Sequence, residues 1–496
     1  MVELSAAFAG DLAGQKRFLH LAGLSYDEPR TANDTELAHT AWHTYVAAKR
    51  LGQAAKRPVA NILIGALAAN RSGLVTRHPH DFIRWFPTLK VREPRAPSPV
   101  ARHFKLGTTP TPARRCRMPD PARRPLHPPA LLALAALALS TFALAAEPAR
   151  LPRENLLLRR DASGATVPVR TTAEWPQRRA EIVRGMETVM GDYPGATSLR
   201  RVAIDVRVEE EIDRGTYVLR RITYQSEPGS RTPAFLCIPK AALAGNTATS
   251  ATARPFPAVL CLHPTDQTTG AGVVVGLGGK PNRQYASELA TRGYVTIAPA
   301  YPHLAGYAPD LPALGYASGT MKAIWDNTRA LDVLESFSFV KRTAGFGAIG
   351  HSLGGHNSLY TAVFDPRITV VATSCGFDSY LDYYGGNPAV WAPTKGWCQE
   401  RYMPRLLNYT GRLTAIPFDF HEILGALAPR PVFVNAPLRD TNFKWQSVDR
   451  VIAAAREVYT LYGVSTQLSV AHPDSEHDFP DAQRETAYRL LDAVLK

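Results

Sequence analysis

Phe346-Gly347-Ala348-Ile349-Gly350-His351-Ser352-Leu353-Gly354-Gly355-His356-Asn357 is the stretch whose reading decides the fold. Its first four residues suit a buried strand, and Gly355 to Phe364 continues as a helix with no proline to break it. Between them Gly350-His351-Ser352-Leu353-Gly354 has the Gly-x-Ser-x-Gly pattern of a sharp strand-to-helix turn. A turn that tight leaves no room for side chains on either side of the serine, which is why both flanking positions are glycine. Ser352 is thereby presented at the end of the strand as a candidate nucleophile.

Working outward, the texture on both sides supports a sheet. Val202 to Val208, Tyr217 to Tyr224 and Ala234 to Ile238 suggest an antiparallel start. Further strands are expected at Ala258 to Leu262, Val295 to Ala298, Phe346 to Ile349, Ile368 to Ala372, Val432 to Val434 and Gln467 to Val470. Helical stretches lie between them, notably Gly319 to Leu334, and Ala482 to Leu495 closes the chain. This alternation predicts an α/β fold, a mostly parallel sheet with helices on both faces, occupying residues 150–496. Residues 376–427 make a long excursion from the sheet and carry Phe377, Tyr380, Tyr383, Tyr384, Trp391, Trp397, Tyr402 and Tyr409. They form either a lid-like insert over the site or the insert's own small core.

A serine hydroxyl needs a general base within hydrogen-bond reach. His477, in Ser475-Glu476-His477-Asp478-Phe479, follows the last strand and precedes the last helix, with room to reach back over Ser352. His472 is the alternative, closer to the strand end. The acid that orients the imidazole is expected after the penultimate strand, where Asp440 stands in Pro437-Leu438-Arg439-Asp440; Asp378, after the preceding strand, is the runner-up. Acyl transfer also needs N–H donors for the oxyanion. One is expected from Leu353, directly after the nucleophile. The other is expected from His263-Pro264-Thr265-Asp266, where Pro264 has no N–H and Thr265 is therefore the candidate.

The chain of 496 residues carries a net charge of +14, which at first suggests nucleic acid. The charge is unevenly placed. Residues 1–125 hold 20 Lys or Arg against 9 Asp or Glu, while the remainder holds 37 against 34, so the catalytic part is not expected to bind nucleic acid. Residues 96–129 are rich in Pro and Arg and read as a linker. Ala130 to Ala146, ALLALAALALSTFALAA, follows Arg123 and Arg124 and contains the small-residue site Ala143-Leu144-Ala145, the anatomy of a signal peptide. If translation starts at Met118 the protein is exported, with no membrane anchor after processing; otherwise the run is an internal anchor. Of the cysteines in the exported part, Cys237 and Cys261 lie in strand-like runs and read as buried thiols. Cys375 and Cys398 flank a loop-rich segment and are the better candidates for a disulfide.

From about residue 255 onward the chain resembles the bacterial α/β-hydrolases of the dienelactone-hydrolase-like and acetyl-xylan-esterase-like group. The residues that carry this are Leu262-His263-Pro264-Thr265, Gly278-Gly279-Lys280-Pro281, Gly319-Thr320-Met321-Lys322-Ala323-Ile324-Trp325-Asp326-Asn327, His356-Asn357 after the serine turn, Asn435-Ala436-Pro437-Leu438 and Glu476-His477-Asp478-Phe479-Pro480. The resemblance implies an α/β-hydrolase fold with Ser352, Asp440 and His477 as a triad. It implies a serine esterase acting on small-molecule or carbohydrate esters; a peptidase or acyl-peptide hydrolase of the same fold is the alternative. Dienelactone hydrolases carry cysteine where this chain has Ser352.

Residues 1–95 read as mostly helical and resemble the C-terminal part of a toxin-type PIN-domain nuclease. The matching residues are Glu3-Leu4-Ser5, Pro58-Val59-Ala60-Asn61, Leu63-Ile64-Gly65-Ala66, Leu74-Val75-Thr76-Arg77, Asp81-Phe82 and Phe86-Pro87. The N-terminal strand that brings one metal-binding acid is missing and Asn61 is neutral where another stands, so the segment is expected to be a truncated, inactive fragment. Elsewhere His421-Glu422 begins a zincin-like pattern, but Gly425 stands where the second histidine belongs. No metal site and no cofactor are expected.

Overall fold

Period-two burial splits the core of this chain into two layers around one sheet. Along β4 (Ala258–Leu262) the side chains of Ala258, Leu260 and Leu262 enter one apolar cluster and those of Val259 and Cys261 enter the other. Every residue of β4 and of β6 (Phe346–His351) is buried, as expected of parallel strands covered on both faces.

The computed structural model describes residues 150–195, 200–244 and 255–496, with a few isolated positions before residue 93. The chain divides into the units Met1–Leu132 and Ala133–Lys496. In the first unit the described residues include a short parallel pairing of Leu74–Val75 with Val91–Arg92. Apart from Thr40, Ala41, Phe86 and Lys90, the rest of the PIN-like segment lies outside the described residues, as do the Pro/Arg-rich linker and the apolar run before residue 147. Among the described residues no helix is long and apolar enough to cross a membrane.

The second unit holds a nine-stranded sheet. Its strands are β1 (Val206–Asp213), β2 (Tyr217–Glu227), β3 (Ser230–Pro239), β4, β5 (Val295–Pro299), β6, β7 (Ile368–Ser374), β8 (Val432–Asn435) and β9 (Leu468–Ala471). Their spatial order is β9-β8-β7-β6-β4-β5-β3-β2-β1. The six strands from β9 to β5 are parallel, and β3, β2 and β1 complete the sheet in antiparallel pairing. Helix α2 (Tyr285–Thr291) and helix α7 (Asp481–Leu495) cover one face through Tyr285, Leu289, Tyr488 and Leu491. Helices α1 (Trp175–Met190), α3 (Gly319–Ser336), α4 (Leu353–Phe364), α5 (Phe420–Leu427) and α6 (Trp445–Leu461) contribute to the other cluster.

The excursion after β7 does not stand free as a lid. Tyr380 and Trp391 are fully buried, and Tyr380 meets Trp397, Phe418 and Phe420 at ring-centroid distances of 5.4 to 5.7 Å. Its last part is helix α5, begun by a capping box between Asp419 and Glu422. Arg153 and Arg150, far earlier in the chain, pair with Asp419 at 2.9 Å and Glu422 at 2.6 Å. The segment is thus packed scaffold on its inner side, and its outer aromatic residues border the cleft described next.

Candidate active site

The turn at Ser352 follows from the close approach of three chain segments. A Cβ on Gly350 would collide with the carbonyl of Gly354, and one on Gly354 with the carbonyl of Leu262 at the end of β4. Ser352 itself has φ 56° and ψ −119°, in the left-handed half of the map that non-glycine residues avoid. Its N–H donates to the carbonyl of Ser374 at 2.8 Å, and the fully buried hydroxyl of Tyr285 donates to Leu262 O and accepts from the N–H of His351. Tyr285 therefore ties the end of β4 to the turn after β6.

Ser352 and His477 line one cleft of about 350 Å³. Nδ1 of His477 lies 2.8 Å from Oδ2 of Asp440. Asp440 is buried, and its other oxygen accepts the N–H groups of Asn442 at 2.8 Å and Phe443 at 3.2 Å, which fixes the carboxylate. A carboxylate on Nδ1 places the proton there and leaves Nε2 as the basic atom.

The two alternatives sit elsewhere. His472 gives Nδ1 to the carbonyl of Ala436 and Nε2 to Asp449 and does not line the cleft. Asp378 is buried and accepts the N–H of Lys444 at 3.2 Å, and among the described residues no hydrogen bond joins it to an imidazole. Burial raises its carboxyl to about 8, with the neighbouring Asp382, Asp419 and Asp440 pushing the same way.

Leu353 is the first residue of α4, so its N–H has no partner within the helix and stands beside Ser352. Thr265 also lines the cleft, and its hydroxyl meets that of Tyr402 at 2.9 Å. The aromatic residues of the excursion, Tyr383, Tyr384, Trp397 and Tyr402, line the same cleft, as does Phe443.

Three supporting groups were given no role from the sequence, although His351 and Asn435 lie inside motifs quoted from it. Arg283 is buried; its guanidinium donates to the carbonyl of His477 at 2.9 Å and pairs with the carboxylate of Asp478. Asn435, at the end of β8, donates to the carbonyl of Asp478 at 2.9 Å and to Ser374 Oγ at 2.8 Å. The ring of His351 packs edge-on against that of His477 at 4.8 Å, and burial, then Arg283 and the imidazole of His477, hold His351 neutral.

The expected Cys375–Cys398 disulfide is not formed. All four described cysteines are free and buried. Cys375 has φ 48°, and its thiol approaches the carbonyl of Asp478 at 3.3 Å, while that of Cys398 faces the carbonyl of Trp391 at 3.6 Å. The left-handed backbone turns Cys375 inward, so that its sulfur, Asp440 and His477 offer ligand atoms within 4.8 Å of one another.

Comparison with known proteins follows the same lines. A sequence-family profile described as "Glucuronyl esterase, fungi" matches residues 313–463. The chain is 23% identical over 193 residues to 4-O-methyl-glucuronoyl methylesterase 1 of Wolfiporia cocos, covering 36% of this chain and 47% of that protein. It is 26% identical over 174 residues to the 4-O-methyl-glucuronoyl methylesterase of Hypocrea jecorina, covering 32% and 36%. The chain thus spans about half, or less, of the length of these curated relatives. Among solved structures, a glucuronoyl esterase from Solibacter usitatus superposes with a TM-score of 0.54 at 19% identity, over 70% of this chain and 99% of that one. A carbohydrate esterase family 15 glucuronoyl esterase from Caldicellulosiruptor kristjansonii gives 0.50 at 17%, over 71% and 92%.

The fold is that of the α/β-hydrolases. Within it the serine turn ends β6, the aspartate follows β8 and the histidine follows β9, all at the C-terminal edge of the parallel strands. The comparisons give no support to the PIN-like resemblance of residues 1–95.

Proposed function

We propose that this α/β-hydrolase is a serine esterase of carbohydrate carboxylic esters, with esters of uronic acids as the favoured class. The observation that carries the proposal is the hydrogen bond between His477 and the buried Asp440 at the cleft that Ser352 enters from its strained turn. The substrate class rests on the 4-O-methyl-glucuronoyl methylesterases to which the chain is similar and on the aromatic residues that border the cleft.

In this reading Ser352 Oγ attacks the ester carbonyl as Nε2 of His477 takes its proton. The N–H groups of Leu353 and Thr265 hold the oxyanion, each contributing on the order of 3 kcal/mol to the transition state. The imidazolium, stabilised by Asp440, returns the proton to the departing alcohol. Water then repeats the sequence on the acyl-enzyme and releases the acid. The Tyr383, Tyr384 and Trp397 rings offer flat faces for a sugar ring. With translation starting at Met118, residues 130–146 would supply the export that an enzyme acting on extracellular polysaccharide needs.

The test is a panel of methyl and benzyl esters of glucuronic acid, acetylated sugars and acyl-peptides. Highest kcat/KM on the uronate esters, abolished in Ser352→Ala, is the expected result. Preference for acyl-peptides, or full activity in Ser352→Ala, overturns it.

A further inference from the structure

The Pro264–Thr265 peptide has to face one way for Thr265 to serve as an oxyanion donor, and one buried side chain governs that orientation. In a trans peptide the carbonyl and the following N–H point in opposite directions. The carbonyl of Pro264 lies 2.7 Å from Nδ1 of His263. His263 is buried and lies outside the cleft, whereas Pro264 and Thr265 line it. A carbonyl drawn back to His263 sends the N–H of Thr265 the other way, toward the cleft and Ser352.

The protonation state of His263 is fixed by its neighbours. The N–H of Tyr301 points at Nε2 from 3.1 Å, and a backbone N–H can only donate. Nε2 must therefore carry the lone pair, which puts the ring proton on Nδ1, where it donates to Pro264 O. Burial lowers the imidazole to about 4, so the neutral ring persists across the working range. Tyr301 is itself anchored, its hydroxyl donating to the carbonyl of Arg401 at 2.8 Å. On the far side of Thr265, the Asp266 carboxylate accepts the N–H groups of Thr268 at 2.9 Å and Thr269 at 2.6 Å, so the loop is held at both ends. The carbonyls of Leu262 and His263 abut Gly354, which brings this loop against the start of α4 and beside the N–H of Leu353.

We propose that His263 is a positioning residue for the oxyanion site: its Nδ1–H holds the Pro264 carbonyl away from the cleft and so aims the Thr265 N–H at the developing oxyanion. This rests on the assignment of Ser352 as nucleophile. His263 touches no substrate; it acts through one peptide plane.

The experiment compares His263→Gln, whose amide reaches the Nε2 position only, with His263→Asn, whose amide reaches the Nδ1 position only, in the full chain with p-nitrophenyl acetate. His263→Gln is expected to lower kcat by about 10²-fold with KM little changed, since an oxyanion donor acts only in the transition state. Affinity for a trifluoromethyl ketone, which forms a tetrahedral adduct on the serine, should fall by a similar factor. His263→Asn should recover at least half of that loss on a logarithmic scale. A folded His263→Gln with kcat within threefold of the parent, or equal losses in both variants that track thermal stability, overturns the proposal. Should neither variant fold, nitrogen-15 spectra of the unmodified protein decide: an Nδ1–H tautomer is required, and an Nε2–H tautomer refutes it. Ser352→Ala runs alongside. If it stays active, the nucleophile assignment fails; if it is dead while His263→Gln is active, only the positioning role fails.

Discussion

His477 and Asp440 share a 2.8 Å hydrogen bond, whereas His472, five positions earlier, commits both ring nitrogens to Ala436 and Asp449. The two histidines therefore predict opposite mutant behaviour. His477→Ala should lower ester turnover by about 10³-fold or more, and Ser352→Ala combined with it should be little worse than either alone. Asp440→Asn should cost about 10³- to 10⁴-fold by favouring the wrong tautomer. His472→Ala should remain within a few-fold of the parent. Steady-state kinetics on the folded variants decides, and a dead His472→Ala with an active His477→Ala would reverse the base assignment.

Asp378 predicts a pH dependence of stability. Burial raises its folded pKa to about 8 from an ordinary value near 3.8, so the folded state holds a proton that the unfolded state releases. The stability linked to that proton is complete below about pH 4 and is lost as pH rises toward 8. Asp378→Asn should therefore raise the melting temperature by a few degrees at pH 9 and by much less at pH 4.5. An equal shift at both pH values would contradict the neutral buried carboxyl.

The buried imidazoles act in the opposite sense. Burial depresses His356 to about 3, and its Nδ1 meets the carbonyl of Gly376 at 3.0 Å. The unfolded state takes up a proton near pH 6.5 that the folded ring refuses, so stability is full above that value and is lost as pH falls toward 3. His356→Asn keeps a donor for Gly376 O but does not titrate. Its melting temperature should fall less than the parent's between pH 6.5 and 4, as scanning calorimetry can measure.

The four cysteines among the described residues are free and buried, which alkylation can check site by site. Alkylation in denaturant without reductant should label Cys237, Cys261, Cys375 and Cys398, and alkylation of the folded protein should label them slowly. Peptide mapping that finds Cys375 joined to Cys398 would restore the disulfide that the sequence suggests.

Arg283 supplies a test of how closely the base must be placed. Lysine can keep the charge but cannot reach both the His477 carbonyl and Asp478. Arg283→Lys should lower kcat by about 10- to 100-fold with the melting temperature changed by only a few degrees. Unchanged kcat would show that the loop holds its shape without the guanidinium.

The parallel strands were legible because each is a short apolar run bounded by turn residues, and β4 begins and ends where the pattern does. The first strand was displaced, from Val202–Val208 to Val206–Asp213, because an edge strand need not be apolar. Its Glu210 and Glu211 pair with Arg221 and Arg220 on β2. Ser352, Asp440 and His477 were proposed from their places just beyond strand ends, and the structure puts Ser352 and His477 on one cleft and His477 against Asp440. Arg283 and Tyr285 could not be proposed in this way, since they act on residues 194 and 66 positions away and nothing local marks them. The disulfide failed for a backbone reason: spacing along the chain says nothing of the positive φ that turns Cys375 inward.

Arg283 grips the main chain of His477 and leaves its ring alone. A general base that must first face the serine, then the leaving alcohol and then water needs small excursions of its imidazole about a stationary hinge. Clamping the carbonyl fixes the hinge, and Asp440 limits the arc, so in the proposed reading the tilt of the imidazole is set from its two ends, by a guanidinium on the main chain and a carboxylate on the ring.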